Sequence, residues 1–188
     1  MKRLQHLPNM ITLLRMAFVP LLILVLKDHH YLEALWVFLI AGISDGLDGY
    51  IAKRFGFVSQ LGAILDPLAD KILLVSAYVM LALLALVPFW LVLVVTFRDA
   101  LIVGGYLVYT SLYGPVSMRP SRVSKFNTFT QILLVVFLLT ERAFGFHVAH
   151  IQAALVFMVL VTTIASGGHY LWTWGIVREV EAGRAGRD

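Results

Sequence analysis

The chain of 188 residues has no cysteine, which excludes a small secreted fold stapled by disulfides. Charge is also scarce: 14% of residues are Asp, Glu, Lys or Arg, against about 25% in an ordinary soluble domain. With 60% hydrophobic residues and a mean hydropathy of +0.87, a disordered chain is excluded and a water-soluble one disfavoured. No basic run is interleaved with aromatic residues, so no nucleic-acid partner is expected. Internal repeats and low-complexity segments are missing too. Acids are the scarcest charge, eleven in all. Yet four of them, Asp45, Asp48, Asp66 and Asp70, fall within one short window between apolar runs.

What the chain has in abundance is long apolar runs. A membrane span takes about 20 residues to cross about 30 Å of hydrocarbon. Six runs meet that length, and they predict helices over about 10–27, 31–54, 61–86, 89–112, 123–140 and 151–174. The expected fold is an all-α integral membrane protein, with residues 1–188 as a single polytopic domain. Breaks fall at Lys27-Asp28-His29-His30, after Lys53-Arg54, at Val87-Pro88, at Gly114-Pro115 and at Glu141-Arg142. One set of loops holds Lys2, Arg3, Lys53, Arg54, Arg119, Arg122, Lys125, Arg178, Arg184 and Arg187, and the other only Lys27 and Arg142. The excess of basic residues marks the cytoplasmic side. Both termini are therefore expected there, which requires an even number of spans. The residues before Asn9 are too few for a cleavable signal. Trp172 and Trp174 read as an interfacial aromatic belt. His169 reads as a packing residue, and His29, His30, His147 and His150 as loop residues on the side away from the acids.

Asp45 and Asp48 are three apart and Asp66 and Asp70 four apart, so each pair shares a helix face. Two neighbouring antiparallel helices then bring four carboxylates to one point near the cytoplasmic surface. Four carboxylates that close repel unless they are protonated or neutralised by cations. Oxygen donors without cysteine or nearby histidine favour a hard ion, Mg²⁺ or Mn²⁺. Two such ions suit phosphoryl-type displacement. The small residues Gly46, Gly49, Ala52 and Gly62 either leave room for a substrate or allow close helix packing. The plainer alternative pairs the aspartates with Lys53, Arg54 and Lys71 as juxtamembrane charges. Another is a cation transporter, which would distribute carboxylates across the membrane instead of gathering them on one side.

The stretch reads Asp45-x2-Asp48-Gly49-x2-Ala52-Lys53-x8-Gly62-x3-Asp66-x3-Asp70. It resembles the signature of the CDP-alcohol phosphatidyltransferases, six-helix membrane enzymes. Seven of eight fixed positions agree; the eighth is Lys53, where the family usually has arginine. Lysine keeps the charge but loses the planar fork. The resemblance implies two divalent ions, Asp45 and Asp66 touching both, Asp48 one and Asp70 the other. It implies Asp70 as general base on the acceptor hydroxyl, and Gly49, Ala52, Lys53, Ser59 and Gly62 along the CDP-lipid. Pro8-Asn9-x2-Thr12-x2-Arg15 resembles the family's opening, which would place Asn9 and Thr12 on CDP-diacylglycerol. Taken alone, Asn9 and Thr12 fit helix caps. The resemblance further implies a homodimer in a bacterial cytoplasmic membrane.

The acceptor is to be read elsewhere. Arg98 and Asp99 fall inside the fourth helix, where a charge needs a partner or a wet cavity. Neighbours on a helix do not face each other, so each is expected to find its own partner, either in interhelical salt bridges or on an acceptor headgroup. The stretch before and into the fifth helix carries Arg119, Arg122, Lys125 and Asn127. It resembles two branches of the family. The branch that acts on glycerol-3-phosphate tends to have Arg-Glu in the fourth helix and Gly-Lys-x-Lys-Thr before the fifth. The branch that makes cardiolipin from phosphatidylglycerol tends to have Arg-Asp and Ser-Lys-x-Asn-Thr, as here. A dianionic monoester wants several cations, a diester with a free glycerol fewer. Both lines favour phosphatidylglycerol, with glycerol-3-phosphate as the alternative.

Overall fold

The computed structural model describes the backbone of residues 7–55, 60–113 and 121–185, and the side chains of residues 16–44, 71–105, 111 and 121–173. Among the described residues it is all-helical: α1 Leu7–Lys27, α2 Tyr31–Phe55, α3 Gln60–Leu83, α4 Phe89–Tyr113, α5 Arg122–Phe144 and α6 Ala149–Ala185. Each helix begins within three residues of its expected start.

The ends differ more, for local reasons. α1 closes in a Schellman motif: His30 N–H donates to Val25 O and His29 N–H to Leu26 O, both at 3.0 Å. That motif needs a left-handed residue at the turn, and His29 supplies it with φ 60°. α3 ends the same way at Leu83, before the expected Leu86. Leu86 N–H reaches Leu81 O at 2.8 Å, Ala85 N–H reaches Ala82 O at 3.0 Å, and Ala85 has φ 56°. α5 runs past the charged Glu141-Arg142 pair to Phe144 and stops at Gly145, whose φ of 70° suits glycine. α6 continues to Ala185 through the polar tail, a stretch of good helix formers with no proline. His150 accordingly lies in the first turn of α6, not in a loop.

The chain divides into two compact units, Met1–Val92 with Val135–Ala149, and Leu93–Leu134 with His150–Asp188. In the first, α1 packs against both α2 and α3. Its buried positions recur at helical spacing: Val19, Leu22 and Leu26 on α1; Ala34, Leu35, Phe38 and Ala41 on α2; Leu73, Leu74, Ala77, Tyr78 and Leu81 on α3. Alanines at Ala34, Ala41 and Ala77 let helix backbones approach closely. The second unit, from α4, the first half of α5 and α6, has a different interior, described below.

Large apolar side chains also lie on the outside, among them Trp36, Phe97, Phe157 and Ile164. A surface like that marks contact with lipid or another protein rather than water. Arg122–Phe144 and Ala149–Thr173 are long and apolar enough to cross a membrane, and Met16–Lys27, Tyr31–Ser44 and Lys71–Leu83 are shorter apolar stretches among the described residues.

Candidate functional site

The aspartates occupy the C-terminal half of one helix and the N-terminal half of the next. Asp45 and Asp48 lie in the second half of α2, Asp66 and Asp70 in the first half of α3. Their spacing keeps each pair on one side of its helix. The side chains of all four lie outside the described residues, as do those of Asn9, Thr12, Gly49, Ala52, Lys53 and Gly62; Ser59 and Arg119 lie outside them entirely. Among the described residues no three acidic or histidine side chains gather as a metal site. The aspartate stretch is the candidate metal centre by its sequence alone. Its donor set, carboxylate oxygens in a chain without cysteine, fits Mg²⁺ or Mn²⁺.

The second cluster lies inside the second unit, and its side chains are among the described residues. Arg98 is 4% exposed and Asp99 6%. Arg98 Nη1 donates to Asp99 Oδ1 at 2.7 Å. This contact between neighbours was not expected from the sequence: the arginine side chain is long enough to fold back onto the next residue. The other guanidinium nitrogens turn outward to two further helices. Nη2 donates to Ser124 Oγ of α5 at 2.7 Å, Nε donates to Ser166 Oγ of α6 at 3.2 Å, and Nη2 donates to Ser166 as well. The Tyr170 ring centroid lies 6.0 Å from Arg98 Cζ, at the limit of a cation–π contact. Gly167 of α6 lies beside the arginine stem, where a side-chain Cβ would also fit, at 3.7 Å from Arg98 Cγ. One guanidinium therefore ties α4, α5 and α6 together, with Asp99 offsetting its charge where an isolated cation would be costly.

Ser124 belongs to the first turn of α5. Its N–H donates to Ser121 Oγ at 3.1 Å, a side-chain cap for that helix start. On the same turn Arg122 and Lys125 are exposed, so the buried arginine anchors a helix start that presents two cations. Asn127, one turn further, is not beside them. It is fully buried, and its Oδ1 accepts from Thr162 and Thr163 of α6, both at 2.9 Å. Thr130 bonds Thr162 at 3.0 Å. This is a polar seam between α5 and α6.

Sequence reasoning missed Glu141. It is 1% exposed, and its Oε1 accepts from Val148 N–H at 2.9 Å and from His147 Nδ1 at 2.6 Å. The carboxylate staples the α5–α6 connection within the first unit. No local signal gave this away, because its partners come six and seven residues later.

Comparison with known proteins adds the following. A model described as CDP-alcohol phosphatidyltransferase matches residues 5–165, a span that includes the four aspartates, Arg98, Asp99 and Ser124. The chain is 37% identical over 179 residues to a cardiolipin synthase (CMP-forming) / mitochondrial hydrolase fusion protein of Schizosaccharomyces pombe, covering 87% of this chain and 30% of that protein. It is 32% identical over 179 residues to the cardiolipin synthase (CMP-forming) of Homo sapiens, covering 87% of this chain and 60% of that one. It is 32% identical over 181 residues to the CDP-diacylglycerol–glycerol-3-phosphate 3-phosphatidyltransferase of Bacillus subtilis, covering 88% of this chain and 93% of that one. The chain thus spans less than two thirds of the length of the two cardiolipin synthases.

Proposed function

The chain belongs to the CDP-alcohol phosphatidyltransferase family, and on that premise we propose that it transfers a phosphatidyl group from CDP-diacylglycerol to phosphatidylglycerol, giving cardiolipin and CMP. The observation that carries the reading is the family match across the aspartate stretch, together with cardiolipin synthases among the relatives at 37% and 32% identity.

Asp45, Asp48, Asp66 and Asp70 would hold two divalent ions, Mg²⁺ or Mn²⁺. When bound, such ions neutralise the pyrophosphate and stabilise the charge that develops on the leaving group. Asp70 takes the proton of the acceptor's glycerol hydroxyl as that oxygen bonds to the β-phosphorus. The bond from the β-phosphorus to the bridging oxygen breaks, and CMP departs with the electron pair. A carboxylate among cations is a weak base, so Asp70 works by position and accepts the proton late. Lys53, Asn9, Thr12, Gly49, Ala52, Ser59 and Gly62 line the CDP-lipid. Arg122 and Lys125, with Arg119, meet the acceptor's phosphodiester, while Arg98, Asp99 and Asn127 hold the helices that carry them. The six helices cross the cytoplasmic membrane of a bacterium with both termini and the aspartates inside, and the chain works as a homodimer.

A second reading keeps the chemistry and changes the acceptor to glycerol-3-phosphate. The Bacillus subtilis relative favours it, because this chain spans 93% of that protein. Purified protein given labelled CDP-diacylglycerol and Mg²⁺ or Mn²⁺, with each acceptor offered separately, decides between them. Cardiolipin formed with phosphatidylglycerol alone is the expected result; phosphatidylglycerophosphate from glycerol-3-phosphate overturns it. In the same assay Asp70→Asn abolishes turnover while metal-dependent binding of CDP-diacylglycerol survives. Full activity in that variant removes Asp70 as the base.

A further inference from the structure

At the other end of α2 from its aspartates lies a pocket of about 250 Å³ that the transfer chemistry does not use. Glu33 and Asp45 are twelve residues apart on one helix, about 18 Å along its axis. The pocket is lined by His29, His30, Tyr31, Leu32 and Glu33 of the α1–α2 corner and by Arg142 near the end of α5, all within the first unit. Its volume falls below the roughly 300–1,000 Å³ of sites for drug-sized ligands, a size that suits a headgroup rather than a whole lipid.

We propose that this pocket holds the headgroup of one zwitterionic aminophospholipid, whose acyl chain lies along the outer face of α2. The inference rests on α2 crossing the membrane, as in the function proposed above. The walls are ordered by their own contacts. The Schellman turn fixes His29, whose Nδ1 lies 3.0 Å from the Tyr31 hydroxyl. His30 Nδ1 lies 3.2 Å from Glu33 Oε2 and holds that carboxylate in place. Across the pocket the Arg142 guanidinium is exposed and has no hydrogen-bond or ion-pair partner among the described residues. The lining thus offers one cation unpaired among the described residues and one carboxylate held by His30. A phosphodiester on Arg142 and an ammonium on Glu33 satisfy both, whereas a headgroup with a second negative charge brings that charge against Glu33.

The apolar half of the ligand has a matching track. Leu32, which lines the pocket, is followed by Trp36, Ile40 and Ile43 at helical spacing, with exposures of 45%, 58%, 49% and 61%. From Leu32 to Ile43 the stripe runs about 16 Å at 1.5 Å per residue. That equals the depth of one leaflet, half of a hydrocarbon core about 30 Å thick.

The test is native mass spectrometry of the full-length protein released from nanodiscs of equal phosphatidylethanolamine and phosphatidylserine. Both lipids carry an ammonium, and only the second carries an extra carboxylate. The wild type is expected to retain one phosphatidylethanolamine per chain. Arg142→Gln lowers that retention about tenfold, the equivalent of one charged hydrogen bond. Glu33→Gln removes the ammonium's partner, so it lowers phosphatidylethanolamine retention as well and brings the two lipids to equal retention. Retention unchanged in Arg142→Gln, or a wild-type preference for phosphatidylserine, overturns the proposal. Phosphatidyl transfer is assayed in parallel and is expected to be unchanged in both variants. A wild type that retains the lipid but transfers nothing refutes the activity proposed above and supports this site.

Discussion

Both units bury apolar side chains, but they differ in how much polar surface they bury beside them. In the first, α1, α2 and α3 close on Leu22, Leu26, Phe38, Leu73, Leu81 and small alanines, and Glu141 is its one buried acid among the described residues. In the second, Arg98, Asp99, Asn127, Thr130, Gln131, Thr163 and Ser166 are all buried. In lipid the hydrophobic effect does not drive helices together, because the bilayer is as apolar as leucine. That leaves two means of association, close packing and interhelical hydrogen bonds. The first unit relies on packing and the second on polar contacts. The polar interior is also the one whose α5 start presents Arg122 and Lys125, so a rigid polar frame stands behind the proposed acceptor surface.

Breaking the polar side should have the larger effect. Arg98→Met keeps the bulk of the stem but removes every guanidinium bond. Asp99 then loses its cation, and Ser124 and Ser166 lose their donor. Removing one partner of a buried pair costs about 3–5 kcal/mol, and the lower figure, about 3 kcal/mol, is expected here. Unfolding in mixed micelles of increasing SDS fraction measures it. The double variant Arg98→Met with Asp99→Leu should recover most of the loss, since an apolar pair can replace a buried ionic one. A double variant no better than the single one would mean that the serine bonds, rather than the charge pair, hold the unit.

On the apolar side, Leu81→Ala empties a fully buried position in α3. The soluble-protein range for such a change is about 2–5 kcal/mol. With part of the transfer term absent in lipid, the low end, about 2 kcal/mol, is expected in the same SDS titration. A loss as large as that of Arg98→Met would erase the contrast between the units. Packing of this kind was legible in the chain, since apolar runs and their spacing placed each helix start within three residues. Contacts distant in sequence were not. Glu141-Arg142 looked like a helix stop, yet the carboxylate is folded inward onto Val148 N–H and α5 continues to Gly145. Asn127 looked like an acceptor contact, and its amide oxygen instead meets threonines some 35 residues away. That Asp45 and Asp48 fall on α2 and Asp66 and Asp70 on α3 was legible from the apolar runs, while their side chains lie outside the described residues.

The smallest expected effect sharpens the comparison most, because it separates polar glue from polar bulk. Thr163→Val is close to isosteric and removes one hydroxyl, the donor to Asn127 Oδ1 at 2.9 Å. Asn127 keeps its bond from Thr162, also at 2.9 Å, so no buried acceptor is left bare. The expected loss is therefore the average interhelical value, about 0.6 kcal/mol. Thr162→Val should cost no less, because Thr162 also bonds Thr130 at 3.0 Å. Its hydroxyl has other acceptors, Met158 O at 2.9 Å and Val159 O at 3.2 Å on its own helix. A single proton cannot serve all three acceptors, so the seam shares it. If Thr162→Val proves neutral while Thr163→Val destabilises, the shared proton goes to the helix backbone, and Thr163 alone carries the interhelical contact. If both are neutral, Asn127 holds α5 and α6 by shape alone, and the second unit's interior resembles the first's in its physics despite its chemistry.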